Sequence, residues 1–317
     1  MTTAVDPAAE LAREVGASLQ QVPRQLPSRF LYDALGSALF DAICQLPWYR
    51  ITRAELGLLR RHAPTIGHAL GRGGRVVELG SGNGEKLATL LSHAGVAGLH
   101  AHLIDLSGSA LVHATHALTA IEGLDLLVTS HKATYEEGLR ALRGRQKQPT
   151  LVAFLGSNIG NFDPRGAGAF LREIRAALDP GDALLLGVDL VKPERDLLLA
   201  YDDPLGLTAA FDKNLLLRIN SQLGADFALA RFAHRAVWNA AASRVEMHLV
   251  SLVAQDVRIP TADLRIRLEA GETIWTESSY KYERDGIARL VEPAGFECRD
   301  QWVDEEARFA LTLFAVA

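Results

Sequence analysis

Gly80, Gly82 and Gly84, spaced two apart, follow an acid, Glu78, at the end of the apolar run Arg75-Val76-Val77-Glu78-Leu79. The chain then passes Ser81, Asn83, Glu85 and Lys86 into Leu87-Ala88-Thr89-Leu90-Leu91, whose apolar spacing predicts a helix. Strand, tight turn and helix in that order are how a nucleotide-like cofactor is held: each glycine removes a Cβ where a ligand approaches the main chain and tolerates positive φ. Spacing separates the cofactors. A phosphate loop needs Gly, then Lys, then Ser or Thr, whereas Gly84 is followed by Glu85, Lys86 and Leu87, so that reading fails. A dinucleotide turn runs Gly-x-Gly-x-x-Gly and this one runs Gly-x-Gly-x-Gly, which puts NAD second. The bland alternative is a glycine-rich turn that only joins strand to helix.

Two more polar features fall at the ends of apolar runs. Asp105 closes His100-Ala101-His102-Leu103-Ile104, about 20 residues past the turn, where an acid meets ribose hydroxyls. Its alternative role is an N-cap for a helix beginning near Ser107. Thr150 to Leu155 runs into Gly156-Ser157-Asn158-Ile159-Gly160-Asn161-Phe162, where two glycines bracket Asn158 and let main-chain and amide donors approach a substrate. A turn in which Asn supports positive φ is the competing explanation.

The elements around these features alternate. Strands are expected at 76–79, 100–105, 124–128, 150–155 and 183–190, with helices at 53–62, from 87, from 107 and at 165–178. Unbroken apolar strands between helices mean a parallel sheet covered on both faces. The alternation stops near Lys192. Helical segments are expected at 204–219 and 231–238, then alternating stretches at 244–252 and 264–268. A helix at 287–293 and a strand at 308–315 complete a seven-stranded sheet, so residues 192–281 read as an insertion after the fifth strand.

At 317 residues, with 48% hydrophobic and 22% charged residues, the composition is that of a soluble chain of about two domains. The net charge of −5 does not suggest a nucleic-acid partner, and the substrate is expected to be small. Met1 to Asp6 lacks a basic start before an apolar core, and no apolar run approaches 18 residues, so a cytoplasmic protein without membrane contact is expected. Cys44 and Cys298 are isolated and are read as buried thiols in a reducing compartment. The pairs His100/His102 and His113/His116 lack Cys or carboxylate companions and are read as structural, with no metal expected.

The glycine turn resembles motif I of class I S-adenosylmethionine (SAM) methyltransferases, which implies an α/β fold with a Rossmann-like seven-stranded sheet and an inserted α+β substrate domain. More specific likenesses run along nearly the whole chain. They are Phe30-Leu31-Tyr32-Asp33-Ala34-Leu35-Gly36-Ser37, Phe154 to Asn161, Gly187-Val188-Asp189-Leu190-Val191-Lys192, Tyr201-Asp202-Asp203, Glu246-Met247 and Thr276-Glu277-Ser278-Ser279. Together they resemble the histidine-specific N-alpha-methyltransferases of ergothioneine biosynthesis. The resemblance implies a SAM-binding domain at 56–191 and 282–317 and a substrate-recognition domain at 1–55 and 192–281. It implies Gly80, Ser81, Gly82, Lys86, Asp105, Thr134 and Tyr135 for SAM. It implies Asn161 and Tyr201 for the substrate carboxylate, Tyr32, Gly156 and Asn158 near the α-amine, and Tyr49, Glu277 and Ser279 around the imidazole, with Met247 lining the pocket. Tyr32 and Asn161 are the implied catalytic residues. Two positions depart from the family pattern: Asn158 stands where Thr is expected, and Thr134-Tyr135 stands where an Asp-Phe pair meets the adenine.

The implied reaction converts histidine and three SAM to Nα-trimethylhistidine (hercynine), by a monomer. Positioning an amine lone pair in line with the methyl group can supply roughly 7–11 kcal/mol. The amine must be neutral; burial beside a sulfonium favours that form, with a phenol such as Tyr32 or a water taking the proton. The alternatives are methylation of another amino acid such as tryptophan, a non-catalytic SAM-binding module, or an NAD-dependent oxidoreductase.

Overall fold

The computed structural model describes residues 7–142 and 148–316. Two compact units divide the chain: Met1–Trp48 with Pro193–Ser279, and Tyr49–Lys192 with Tyr280–Ala317.

The second of these is built on seven strands, β1 (Arg75–Leu79), β2 (Leu99–Asp105), β3 (Leu126–Lys132), β4 (Thr150–Phe154), β5 (Ala183–Asp189), β6 (Phe296–Asp304) and β7 (Phe309–Val316). They lie in the order β3-β2-β1-β4-β5-β7-β6. The first five are parallel, whereas β7 runs antiparallel to both β5 and β6. Every residue of β1, β4 and β5 is buried, as expected of central parallel strands covered on both faces. Phe154, Phe170, Leu186 and Phe314 pack in one cluster over one face. The expected seven-stranded α/β sheet is thus present, with the third strand starting two residues later than the apolar run suggested.

The other unit has a four-stranded sheet in which Thr273–Tyr280 pairs in parallel with the short strand Arg24–Gln25 and lies beside Arg244–Ser251. Arg244–Ser251 pairs antiparallel with Phe232–Asn239. A separate hairpin joins Gln255–Ile259 to Leu264–Leu268. The helices are Pro7–Leu19, Ala34–Cys44, Glu194–Tyr201 and Leu207–Leu223.

Two sequence expectations fail. The helix expected at 231–238 is a strand, because Phe232 to Asn239 find partners from Ser251 back to Arg244 across a turn that closes on Ser243 at φ 52°. Cross-strand pairing overrides a local helical pattern rich in alanine and arginine. Nor are the thiols both buried: Cys44 is partly exposed, and Cys298 is exposed on the outermost strand β6.

Candidate active site

The turn after β1 has the geometry its glycines predict, with φ of 78°, 50° and 80° at Gly80, Gly82 and Gly84. A Cβ at Gly80 would lie 2.7 Å from the Tyr135 hydroxyl and 2.8 Å from Asn158 Nδ2. The absent side chain therefore lets three distant segments meet: the turn, the start of helix Tyr135–Ala141 and the loop after β4. A Cβ at Gly84 would lie 2.5 Å from Ala114 Cα, so this glycine seats the turn against helix Gly108–Thr119. Gly82 faces open space.

Asp105, at the end of β2, ties itself to the same turn. One carboxylate oxygen accepts from Gly82 N at 3.2 Å and the other from Ser107 N at 2.8 Å. The N-cap of the following helix is Ser107, whose hydroxyl accepts from Ala110 N. Burial pushes the Asp105 carboxyl up, while the amides of Ser107 and Gly82 pull the other way.

Glu78 and Ser81 flank the first glycine. Glu78 is 1% exposed, and its Oε2 and the Ser81 hydroxyl have no hydrogen-bond partner among the described residues. Burial raises the Glu78 carboxyl well above the usual range; Lys86 opposes this, whereas Glu55 and Asp105 add to it. A buried acceptor and a buried hydroxyl in want of partners fit a ligand with an ammonium and a carboxylate, as at the amino-acid end of SAM. The residues present therefore suit that cofactor.

The loop after β4 is held by a residue that the sequence reading did not single out. Glu55, wholly buried on helix Ile51–Leu70, accepts from Gly156 N with both oxygens at 2.9 Å and pairs with Lys86 Nζ at 2.7 Å. A Cβ at Gly187 on β5 would come within 2.0 Å of Glu55 Oε1, so a glycine there makes room for the carboxylate. At Gly156, where φ is 74°, a Cβ would lie 2.7 Å from Lys86 Nζ. The signal in the sequence was an acid on the apolar stripe Ile51, Ala54, Leu58, Leu59.

Further along the loop, Ser157 adopts φ 60° and its hydroxyl accepts from Asp189 N at 2.9 Å. Asp189 in turn pairs with Lys192 at 2.5 Å and with Lys281 at 2.9 Å. Asn158 to Asn161 form a single 3-10 turn, with Asn158 half-buried and Asn161 exposed. Tyr49, buried, lies two residues before the start of helix Ile51–Leu70, whose N-cap is Arg50.

Tyr135 packs its ring edge-on to Phe154 and tilted to Phe170, with centroids 5.5 and 5.6 Å away. Burial pushes its phenol up, so the hydroxyl keeps its proton. Thr134 caps the helix in a capping box, its hydroxyl accepting from Glu137 N while Glu137 Oε2 accepts from Thr134 N.

The other unit carries Tyr32, Tyr201, Met247, Glu277 and Ser279. Tyr201 donates its hydroxyl to Ser279 Oγ at 2.8 Å, so two sequence-predicted residues 78 apart in the chain meet directly. Glu277 and Ser279 are both buried and lie two apart on the strand Thr273–Tyr280, which puts them on one face. Met247 is buried on the neighbouring strand, and its carbonyl accepts from Thr276 Oγ1 at 3.0 Å. Tyr32 sits edge-on to Phe40 and Phe211 at 5.6 and 5.5 Å. Asp33 fixes that position: its carboxylate caps helix Ala34–Cys44 through Gly36 N and accepts from Asn214 Nδ2, both at 2.8 Å.

The strand order, with its antiparallel penultimate strand, and the acid-led glycine turn define a class I SAM-dependent methyltransferase. A family model for histidine-specific, SAM-dependent methyltransferases matches residues 11–316. A histidine N-alpha-methyltransferase of Mycolicibacterium smegmatis is 41% identical over 315 residues, covering 98% of this chain and 96% of that one. A protein of the same description from Mycobacterium tuberculosis is 39% identical, covering 96% and 94%. Ergothioneine biosynthesis protein 1 of Neurospora crassa is 30% identical over 293 residues, covering 88% of this chain and 32% of the fungal one. The chain belongs to the histidine-specific, SAM-dependent methyltransferase family, and it is an amino-acid N-methyltransferase that uses SAM.

Proposed function

We propose that the protein transfers three methyl groups from SAM to the α-amine of L-histidine, giving hercynine for ergothioneine biosynthesis. The observation that carries the reading is the family match, which spans the glycine turn and the strand bearing Glu277 and Ser279 alike. The bacterial relatives named for this activity and the fungal relative named for ergothioneine biosynthesis support it.

In this reading Gly80, Ser81, Gly82, Lys86 and Asp105 hold SAM, with Tyr135 and the main chain at Thr134 beside the adenine. Glu78 joins them at the ammonium end. Bound SAM supplies a methyl group on a sulfonium, whose leaving group is already positively charged. Asn161 and Tyr201 orient the histidine carboxylate through neutral donors. Gly156, Asn158 and Tyr32 surround the amine, and burial beside the sulfonium favours a neutral amine over an ammonium. A water at the Tyr32 hydroxyl receives the amine proton and passes it to solvent. Tyr49, Glu277 and Ser279 read the imidazole, with Met247 as an apolar wall. Glu277 accepts from one ring N–H and Ser279 pairs with the other nitrogen. A site of this kind rejects analogues lacking those groups by about 10⁴, because its own buried polar atoms would go unpaired.

Incubating the protein with SAM and all twenty amino acids, then reading product masses, tests the proposal. Histidine alone is expected to gain three methyl groups. Methylation of tryptophan or another amino acid in its place would overturn the specificity, and accumulation of mono- or dimethylhistidine as the end product would overturn the trimethylation.

A further inference from the structure

Behind Tyr201 lies a pair of titratable side chains with no part in the proposed chemistry. His234, on the strand Phe232–Asn239, places Nδ1 2.7 Å from Asp212 Oδ2 and Nε2 2.8 Å from the main-chain carbonyl of Tyr201. The side chains of His234 and Asp212 are 1% and 0% exposed. Asp212 comes from helix Leu207–Leu223, and Tyr201 is the last residue of helix Glu194–Tyr201.

The geometry fixes the protonation. A carboxylate and a carbonyl both accept hydrogen bonds, and a neutral imidazole has only one N–H to give. With an acceptor at each nitrogen, His234 satisfies both only as the doubly protonated imidazolium. Two further facts point the same way. A buried carboxylate needs a counter-charge, and the terminal carbonyls of a helix lack intrahelical donors and favour a cation. Burial opposes the charge on His234, whereas Asp212, the Tyr201 carbonyl and Asp202 favour it, leaving the ring raised above the usual histidine value. Of the neighbouring groups, His248 on the strand Arg244–Ser251 is lowered by burial, with Arg235 acting in the same direction and Glu246 and Asp212 against it. The positive charge facing Asp212 is therefore that of His234.

We propose that the His234 imidazolium and the Asp212 carboxylate are positioning residues for substrate binding: they grip the Tyr201 carbonyl and thereby aim its phenol at Ser279. Tyr201 ends its helix and Asp202, at φ −146° and ψ 71°, leaves the helical region, so the Tyr201 carbonyl has to be fixed where the chain changes direction. The His234 hydrogen bond supplies that constraint, and the Tyr201 hydroxyl then meets Ser279 at 2.8 Å. The inference rests on the reading of Tyr201 and Ser279 as histidine-binding residues.

The test compares Asp212→Asn, His234→Gln and Tyr201→Phe with the unaltered protein. Asp212→Asn preserves shape but removes the charge that keeps His234 doubly protonated, so it weakens the hydrogen bond to the Tyr201 carbonyl without opening a cavity. Asp212→Asn and His234→Gln are each expected to raise KM for histidine about tenfold while leaving kcat within about threefold. The affinity for SAM should stay unchanged. In protein with ¹⁵N-labelled histidine, His234 should show two protonated ring nitrogens at pH 7, and Asp212→Asn should convert it to a neutral ring. A neutral His234 in the unaltered protein at pH 7 would overturn the proposal. So would an unchanged histidine KM in both Asp212→Asn and His234→Gln when Tyr201→Phe raises it. Failure of the unaltered protein to bind histidine in calorimetry would overturn the underlying reading itself.

Discussion

In the unit built on the seven-stranded sheet, candidate residues are placed by the main chain. Gly80 admits Tyr135 and Asn158 to within contact, Gly156 admits Lys86, and main-chain amides engage Asp105 and, together with Lys86, Glu55. In the other unit the placing is done by side chains: Tyr201 to Ser279, His234 to Tyr201, Asp33 to Asn214. The contrast suits the proposed reading, in which the glycine turn holds SAM and Glu277 and Ser279 read the histidine side chain. A cofactor common to many reactions can be held by geometry that only glycine permits, whereas recognition of one amino acid requires particular functional groups at fixed places. Damage to the first unit should therefore be steric and severe, and damage to the second selective and graded.

Gly80→Ala should have the largest effect. It puts a Cβ on a residue at φ 78° and drives it against Tyr135 and Asn158. Strain of about 1–3 kcal/mol adds to the clash, and SAM affinity measured by calorimetry is expected to fall by at least about 100-fold. An unchanged affinity would mean that the close approach has no bearing on the cofactor.

Tyr201→Phe removes one hydroxyl that donates at 2.8 Å. In the proposed reading that single proton turns from Ser279 to the substrate carboxylate when histidine binds, so kcat/KM for histidine should drop by roughly 10- to 100-fold, the worth of a hydrogen bond to a charged group of about 1.5–3 kcal/mol. SAM affinity should not move. Equal loss of both would erase the division between the units.

Asp33→Ala removes a helix cap and strands Asn214 Nδ2. A loss of about 1 kcal/mol is expected from the cap, read as a melting temperature lower by roughly 2–4 °C. Because Tyr32 is its neighbour, histidine KM should rise with it; a lower melting temperature with unaltered KM would uncouple the cap from the site.

The smallest effect is in pH, and its sign differs between the units. His102, on β2 beside His100 and His131, is lowered from 6.5 to about 4, mainly by burial. A depressed histidine favours the fold while neutral, so stability should be complete above pH 6.5 and decline as pH falls toward 4. His234 is raised, so its contribution is complete at low pH and is lost as pH rises through its folded value. Melting curves of His102→Gln and Asp212→Asn against pH should flatten the acid limb and the alkaline limb respectively. Flattening of the same limb by both would show that the two histidines carry like charges.

The parallel sheet was readable because its central strands are apolar from end to end and its glycine turn has few structural uses. The strand Phe232–Asn239 was not, because Ala233-His234-Arg235-Ala236 has no local preference for extension and takes its form from Arg244–Ser251. Glu55 escaped notice for a related reason. One acid in an apolar stripe is explained only when Gly156 N, Lys86 and the space left by Gly187 are seen around it. Tyr201 and Ser279 were picked out by resemblance, but their mutual hydrogen bond depends on folding across 78 residues. His234, which holds the Tyr201 carbonyl, lay in a segment read as helix.

The division of labour is tested most directly on Glu277→Ala, by titrating histidine and SAM separately into the variant and into the unaltered protein. The account predicts that histidine affinity falls by at least about 100-fold, close to 2.7 kcal/mol, while SAM affinity stays within about threefold. Parallel loss of both affinities, or full retention of histidine binding, would contradict it.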